Sequence, residues 1–146
     1  MGVKRFEDLR VWQEARALSD DIAPVLRRAA LADDPKLRSQ LGAAVASIMS
    51  NIAEGFIRRR RKEFTQFLRV AAGSTAETRS LLYVLESRDA ISHQERERLA
   101  ERTESIGRML RRLMDYLESP PPLPTPHQEP RTNAEPRTKN GPRTKH

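Results

Sequence analysis

Asp34-Pro-Lys-Leu-Arg-Ser-Gln-Leu-Gly-Ala-Ala-Val-Ala-Ser-Ile-Met-Ser-Asn-Ile-Ala-Glu-Gly-Phe-Ile57 runs into Arg58-Arg-Arg-Arg-Lys62, and Glu63-Phe-Thr-Gln-Phe-Leu-Arg-Val-Ala-Ala-Gly-Ser-Thr-Ala-Glu77 follows. Leu37, Leu41, Ala44, Ile48, Asn51 and Gly55 step by four and three, the spacing of one helix face. Asp34 can cap that helix (B) with Pro35 at its first position, and the helix is expected to end near residues 55–57. Beyond the five cations, Phe64, Ala71, Thr78 and Leu85 share one seven-residue line, and Phe67, Ser74 and Leu81 share its companion. That spacing predicts helix C from about residue 61 to 88. Two long helices joined by so short a connection must fold back antiparallel. With the turn near Arg59, position 45 faces position 73. The small residues Gly42 to Ala44, Ala46 and Ser47 then oppose Ala71 to Ser74, so the two backbones are expected to approach closely. A mid-helix glycine costs about 1 kcal/mol against alanine, and that approach would account for Gly73.

The same periodicity extends in both directions. Upstream, Val11, Ala15, Leu18, Ile22, Val25 and Ala29 form one stripe and Leu9, Trp12, Ile22 and Leu26 a second, so helix A is apolar over a wide arc. Asp33-Asp34-Pro35 stops it. Downstream, Ser92-His-Gln-Glu95 fits a capping box, and Leu99, Thr103, Ile106, Leu110, Leu113 and Leu117 make the stripe of helix D. No segment alternates with period two. The expected fold class is all-α, an antiparallel up-down four-helix bundle over residues 1–118. Eight of the ten prolines lie from Pro120 onward, where hexapeptides such as Glu135-Pro-Arg-Thr-Lys-Asn repeat. A segment with so little to bury cannot offset the entropy of ordering. Residues 119–146 therefore read as a disordered, basic, proline-rich tail, either neutral or a weak polyanion-binding arm.

The composition narrows the function classes. The chain has 146 residues and no cysteine, which excludes disulfides and thiolate metal sites. There is no apolar run long enough to span a bilayer and no apolar leader after Met1, so a cytoplasmic, non-membrane protein is expected. Net charge is +7, with 22 arginines against 5 lysines. A basic surface favours polyanions, although an arginine bias can also be compositional.

Catalytic chemistry finds no purchase. His93, His127 and His146 are too scattered for a metal site or a catalytic set, and the isolated glycines make no phosphate-cradling loop. No catalytic residue, metal or cofactor is expected. Glu54 and Glu77 lie near apolar stripes, but a structural carboxylate is the better reading, for instance Glu54 paired with Arg58. Asn51, at a core-type position, reads as a device that fixes register. The feature that points to a ligand is Arg58, Arg59, Arg60, Arg61 and Lys62. Cations suit the end of helix B but oppose the macrodipole at the start of helix C, at a few tenths to about 1 kcal/mol each. A bound anion would compensate them, whereas a solvated charged turn would merely tolerate them.

Residues 40–56, residues 63–77 and the opening Phe6-Glu-Asp-Leu-Arg-Val-Trp-Gln-Glu-Ala15 resemble the four-helix bundle protein family, also called the 23S ribosomal RNA intervening-sequence proteins. The resemblance spans about residues 6–117 and rests on Asn51-Ile-Ala-Glu54-Gly55 and on Gly73-Ser74 with Glu77. It implies an up-down bundle assembled as a ring, a homopentamer, with no known catalytic residues. Accessory proteins of diversity-generating retroelements, which are basic, pentameric and bind nucleic acid and a reverse transcriptase, are related to this family. The chain departs from the pattern in three places. Met49 stands where the family usually has proline, Gly42 and Ala43 where it often has basic residues, and Arg60 near a serine that would cap helix C.

Two functions follow as expectations. One is an oligomeric, non-enzymatic module that binds RNA or DNA through phosphates at residues 58–62. The other is a protein-interaction scaffold whose basic charge is incidental. One tryptophan and two tyrosines argue against base stacking as the main mode.

Overall fold

The amphipathic stripes bury against one another as four long helices. The computed structural model describes residues 2–121. A 3-10 turn at Phe6–Asp8 leads into α1 (Arg10–Leu26), a single turn α2 (Ala29–Ala32), α3 (Pro35–Ile57), α4 (Arg61–Ser87) and α5 (His93–Glu118). Each long helix packs against the next, and α5 closes back on α1. This is the all-α, antiparallel up-down four-helix bundle, and the described residues contain no strand. The tail reading falls on residues 122–146, which lie outside the described residues.

Leu18, Ile22, Leu41, Ile48, Leu68, Leu82, Leu99 and Ile106 are fully buried along the bundle axis. Each contributes roughly 1.5–3 kcal/mol by leaving water. Cross-helix pairs hold the register: Ser47 Oγ to Ser74 Oγ at 2.8 Å between α3 and α4, and Arg69–Glu118 and Arg79–Glu104, both at 2.7 Å, between α4 and α5. The predicted caps are present. Asp34 Oδ1 accepts from the Leu37 amide at 3.0 Å with Pro35 in the first turn, and Ser92 with Glu95 completes a capping box at the start of α5.

Helix A is shorter than its stripe implied. Pro24 removes a hydrogen-bond donor from the last turn, and α1 stops at Leu26. Arg28 then turns away to donate to the Ala90 carbonyl at 3.0 Å and to both carboxylate oxygens of Glu95 at 3.1 and 2.6 Å. The second apolar stripe of α1 is partly covered within the chain, with Trp12 and Leu26 packed against the core. Trp12 packs edge-on against Phe6, with centroids 5.3 Å apart. The large exposed apolar side chains lie elsewhere, at Ile57, Val70, Tyr83 and Tyr116. α3 continues unbroken through Met49.

The close approach expected at Gly73 falls at the other hairpin glycine, Gly55. Gly73 is exposed, and a Cβ there would meet nothing within 4 Å, so close packing does not account for it. Gly55 is the point of close approach: a Cβ there would lie 2.7 Å from Phe67 Cβ and 2.9 Å from Phe64 Cδ1. This close approach of α3 and α4 lies near their turn, while Ser47 meets Ser74 farther along the bundle.

The Arg28–Glu95 pair gives the fold an acid-sensitive joint between the α1–α2 connection and α5. Hydrogen bonding to Arg28 holds the Glu95 carboxyl below its ordinary value of 4.5. A depressed folded value means the contribution is complete above about pH 4.5 and fades as pH falls through the folded value. Thermal melts across the acid range should show this loss, and Glu95→Gln should melt lower at neutral pH with a flatter acid limb. Parallel curves for the two proteins would show that the pair adds nothing.

Candidate nucleic-acid interface

The α3–α4 turn packs five consecutive cations into one end of the bundle, and the backbone gives them different tasks. Arg58 closes α3. It pairs with Glu54 at 2.9 Å, four residues back, and lies over the Phe67 ring at 5.6 Å. Arg59 follows in the left-handed region at φ 58°, a position after a helix end that glycine usually fills. Arg60 is the N-cap of α4, where it offers no side-chain acceptor. It stands 80% exposed, and its contact with Glu63 is a long 3.7 Å. Arg61 donates to the Ser119 carbonyl at 3.1 Å and stacks over Tyr116 at 5.3 Å. There it suits the negative end of the α5 dipole. Lys62 is exposed on the first turn of α4.

Arg58 and Arg61 are thus partly committed to the fold, while Arg59, Arg60 and Lys62 project their charge to solvent. α4 begins without a side-chain cap, so its positive end and these cations reinforce one another. Glu63 in the first turn of α4 offsets part of this charge, and a negative group outside the helix would relieve the rest.

The turn also borders a cleft of about 600 Å³. Lys4, Arg59, Arg60 and Arg61 form its basic side, and Val3, Phe56, Phe64, Tyr116 and Leu117 its apolar side. Phe56 and Phe64 meet edge-on at 6.1 Å. A neighbouring cleft carries Arg61, Lys62 and Arg69. Lys4 and Tyr116 were not among the residues singled out in the sequence. They arrive from the N-terminus and from the end of α5, and no local pattern around residue 60 announces them.

The remaining motif residues lie away from this end. Asn51 is half-buried, not in the core. Its Nδ2 donates to the Ser47 carbonyl at 2.8 Å and to Ser47 Oγ at 2.9 Å, and Ser47 in turn meets Ser74. Asn51, Ser47 and Ser74 therefore form one seam between α3 and α4. Glu54 and Glu77 are both exposed, neither lying in an apolar pocket. His93 sits 2.6 Å from Glu86 and 3.1 Å from Glu97. Among the described residues no acidic or histidine cluster could hold a metal ion, and no helix is long and apolar enough to cross a membrane.

No curated protein matches the chain. A solved structure with the same fold is that of a protein of unknown function from the S23 ribosomal protein family of Bacteroides thetaiotaomicron. It is 20% identical with a TM-score of 0.64, and the match covers 71% of this chain and 97% of the other. The model of the 23S rRNA-intervening sequence proteins matches residues 7–112, from the turn before α1 almost to the end of α5. With the greater part of its length so matched and the bundle in place, the chain belongs to the 23S rRNA-intervening sequence protein family.

Proposed function

We propose that this protein is a non-enzymatic, ring-forming helical module of the cytoplasm that binds RNA or DNA through phosphate contacts at the α3–α4 turn, as an accessory factor to an RNA or reverse-transcriptase system. The observation that carries this reading is the uncapped start of α4, set among Arg59, Arg60 and Lys62. These cations oppose the helix macrodipole, and phosphate relieves both the dipole and their mutual repulsion. Self-association is supported by the outer face of α3 and α4, where Ile57 and Val70 are 63% and 53% exposed. Ala43, Ala46, Gly73 and Ala76 on those helices are small and exposed as well. A ring, as in a homopentamer, would repeat the cationic turn once per subunit along one rim. Such a band touches phosphates without reading bases.

Salt dependence tests the reading. If about four phosphates are neutralised per subunit, the logarithm of affinity should fall with the logarithm of salt at a slope near −3. Fluorescence anisotropy with labelled RNA and DNA, titrated at two salt concentrations, measures it. The second reading is a protein-interaction scaffold, and the exposed Ile57 and Val70 favour it equally. Absence of binding at low salt would leave the scaffold in possession.

A further inference from the structure

Phosphate binding alone requires only a charged rim, yet this one encloses an apolar and aromatic floor. Phe56, Phe64, Leu117 and the 46% exposed Tyr116 lie directly beside Arg59 and Arg60. We propose that the cleft seats one unpaired nucleotide of a single-stranded segment, with the base against Phe56 and Tyr116 and the phosphates on Arg59 and Arg60 at the start of α4. The proposal rests on the reading that this end binds nucleic acid, and it names the form bound.

Three observations carry it. The volume of about 600 Å³ lies within the range of small-ligand clefts and far below that of a duplex. A duplex keeps its bases stacked inside and could touch only the rim, leaving the floor unused. The floor is aromatic, and every base has a π-face, so stacking there tolerates sequence. The charge also selects among occupants. Four cations line the basic side, more than the single carboxylate of an acyl anion would neutralise, whereas a strand brings one phosphate per nucleotide. The chain's own residues from 122 onward carry five basic and two acidic side chains, so their net charge does not complement the cleft.

The test compares a short labelled oligouridylate with an RNA duplex of the same length, using the full chain at one salt concentration. Wild type should bind the single strand roughly tenfold more tightly, the worth of one stacked base. Tyr116→Ala should lose roughly that factor for the single strand, with duplex affinity and salt slope unchanged. Tyr116→Phe should restore it. Tyr116 is half exposed, so neither variant opens a core cavity, and Tyr116→Phe keeps an aromatic ring under Arg61. Equal wild-type affinity for strand and duplex overturns this proposal alone, as does an equal loss for both in Tyr116→Ala. Wild type binding neither overturns this proposal together with the reading it rests on. Decanoate bound in the cleft with no oligonucleotide binding would assign it to an acyl anion instead.

Discussion

Gly55→Val is expected to cost the bundle about 3 kcal/mol or more, while Gly73→Ala should leave it as stable or make it more so. Even the first carbon of a side chain at position 55 would lie 2.7 Å from Phe67 Cβ and 2.9 Å from Phe64 Cδ1. Phe67 Cβ is fixed by the backbone of α4, and Phe64 is a core residue at 5% exposure that also meets Phe56. Neither neighbour can yield as the tip of a flexible side chain would, so α3 and α4 must move apart. Overpacking of this kind costs about 1–3 kcal/mol for added methylenes, and more where backbone shifts. Alanine recovers about 1 kcal/mol of helix propensity and should therefore lose less, roughly 1–2 kcal/mol. At position 73 nothing lies within 4 Å, and the same propensity term should appear as a gain of up to about 1 kcal/mol. Chemical denaturation of the three variants measures both signs. A neutral Gly55→Val would mean that the hairpin is looser than its geometry. A destabilising Gly73→Ala would mean that this exposed face is covered by another copy, and dilution should then abolish the difference.

Reversing three charges at the turn, Arg59→Glu with Arg60→Glu and Lys62→Glu, should reduce nucleic-acid affinity on the order of 100-fold or more at low salt. Melting should change little. All three side chains are exposed, and the one ion pair lost, Arg60 with Glu63, is a surface contact worth well under 1 kcal/mol. Carboxylates at the start of α4 gain about 0.3–1 kcal/mol each from the helix dipole, so any change in melting should be a small rise. Arg61 is left in place because it holds the Ser119 carbonyl at the end of α5. Anisotropy and a thermal melt on the same preparation separate the two effects. Retained affinity in a folded triple variant would place the contact elsewhere. Lost affinity with a lowered melting temperature would show that the turn is structural.

The fold was readable because its determinants are local. Steps of three and four mark the buried faces, Asp34 with Pro35 and Ser92 with Glu95 mark the helix starts, and each signal lies within one turn of the position it governs. What escaped the reading depends on distant partners. After α1 ends, Arg28 reaches Ala90 and Glu95, more than sixty residues on, and no local pattern announces that contact. The expectation that Gly73 marked a close approach treated the small residues of α3 and α4 as one patch. The glycine that a side chain would crowd is instead Gly55, nearer the turn, and Gly73 faces outward. The cation run was plain in the sequence, but its cleft was not. Lys4 and Tyr116 join it only because an up-down bundle of four helices brings the N-terminal segment and the end of α5 to the end of the bundle that holds the α3–α4 turn.

The left-handed backbone at Arg59 sets the protein's two fitness demands against each other. Glycine there would relieve strain of roughly 1 kcal/mol without disturbing a buried contact. Selection for thermostability alone should therefore drift toward glycine and discard a cation from the cleft rim. Selection for ligand retention should hold arginine in spite of its cost. A deep library at this one position, sorted separately for heat resistance and for binding, would rank the same two residues in opposite orders.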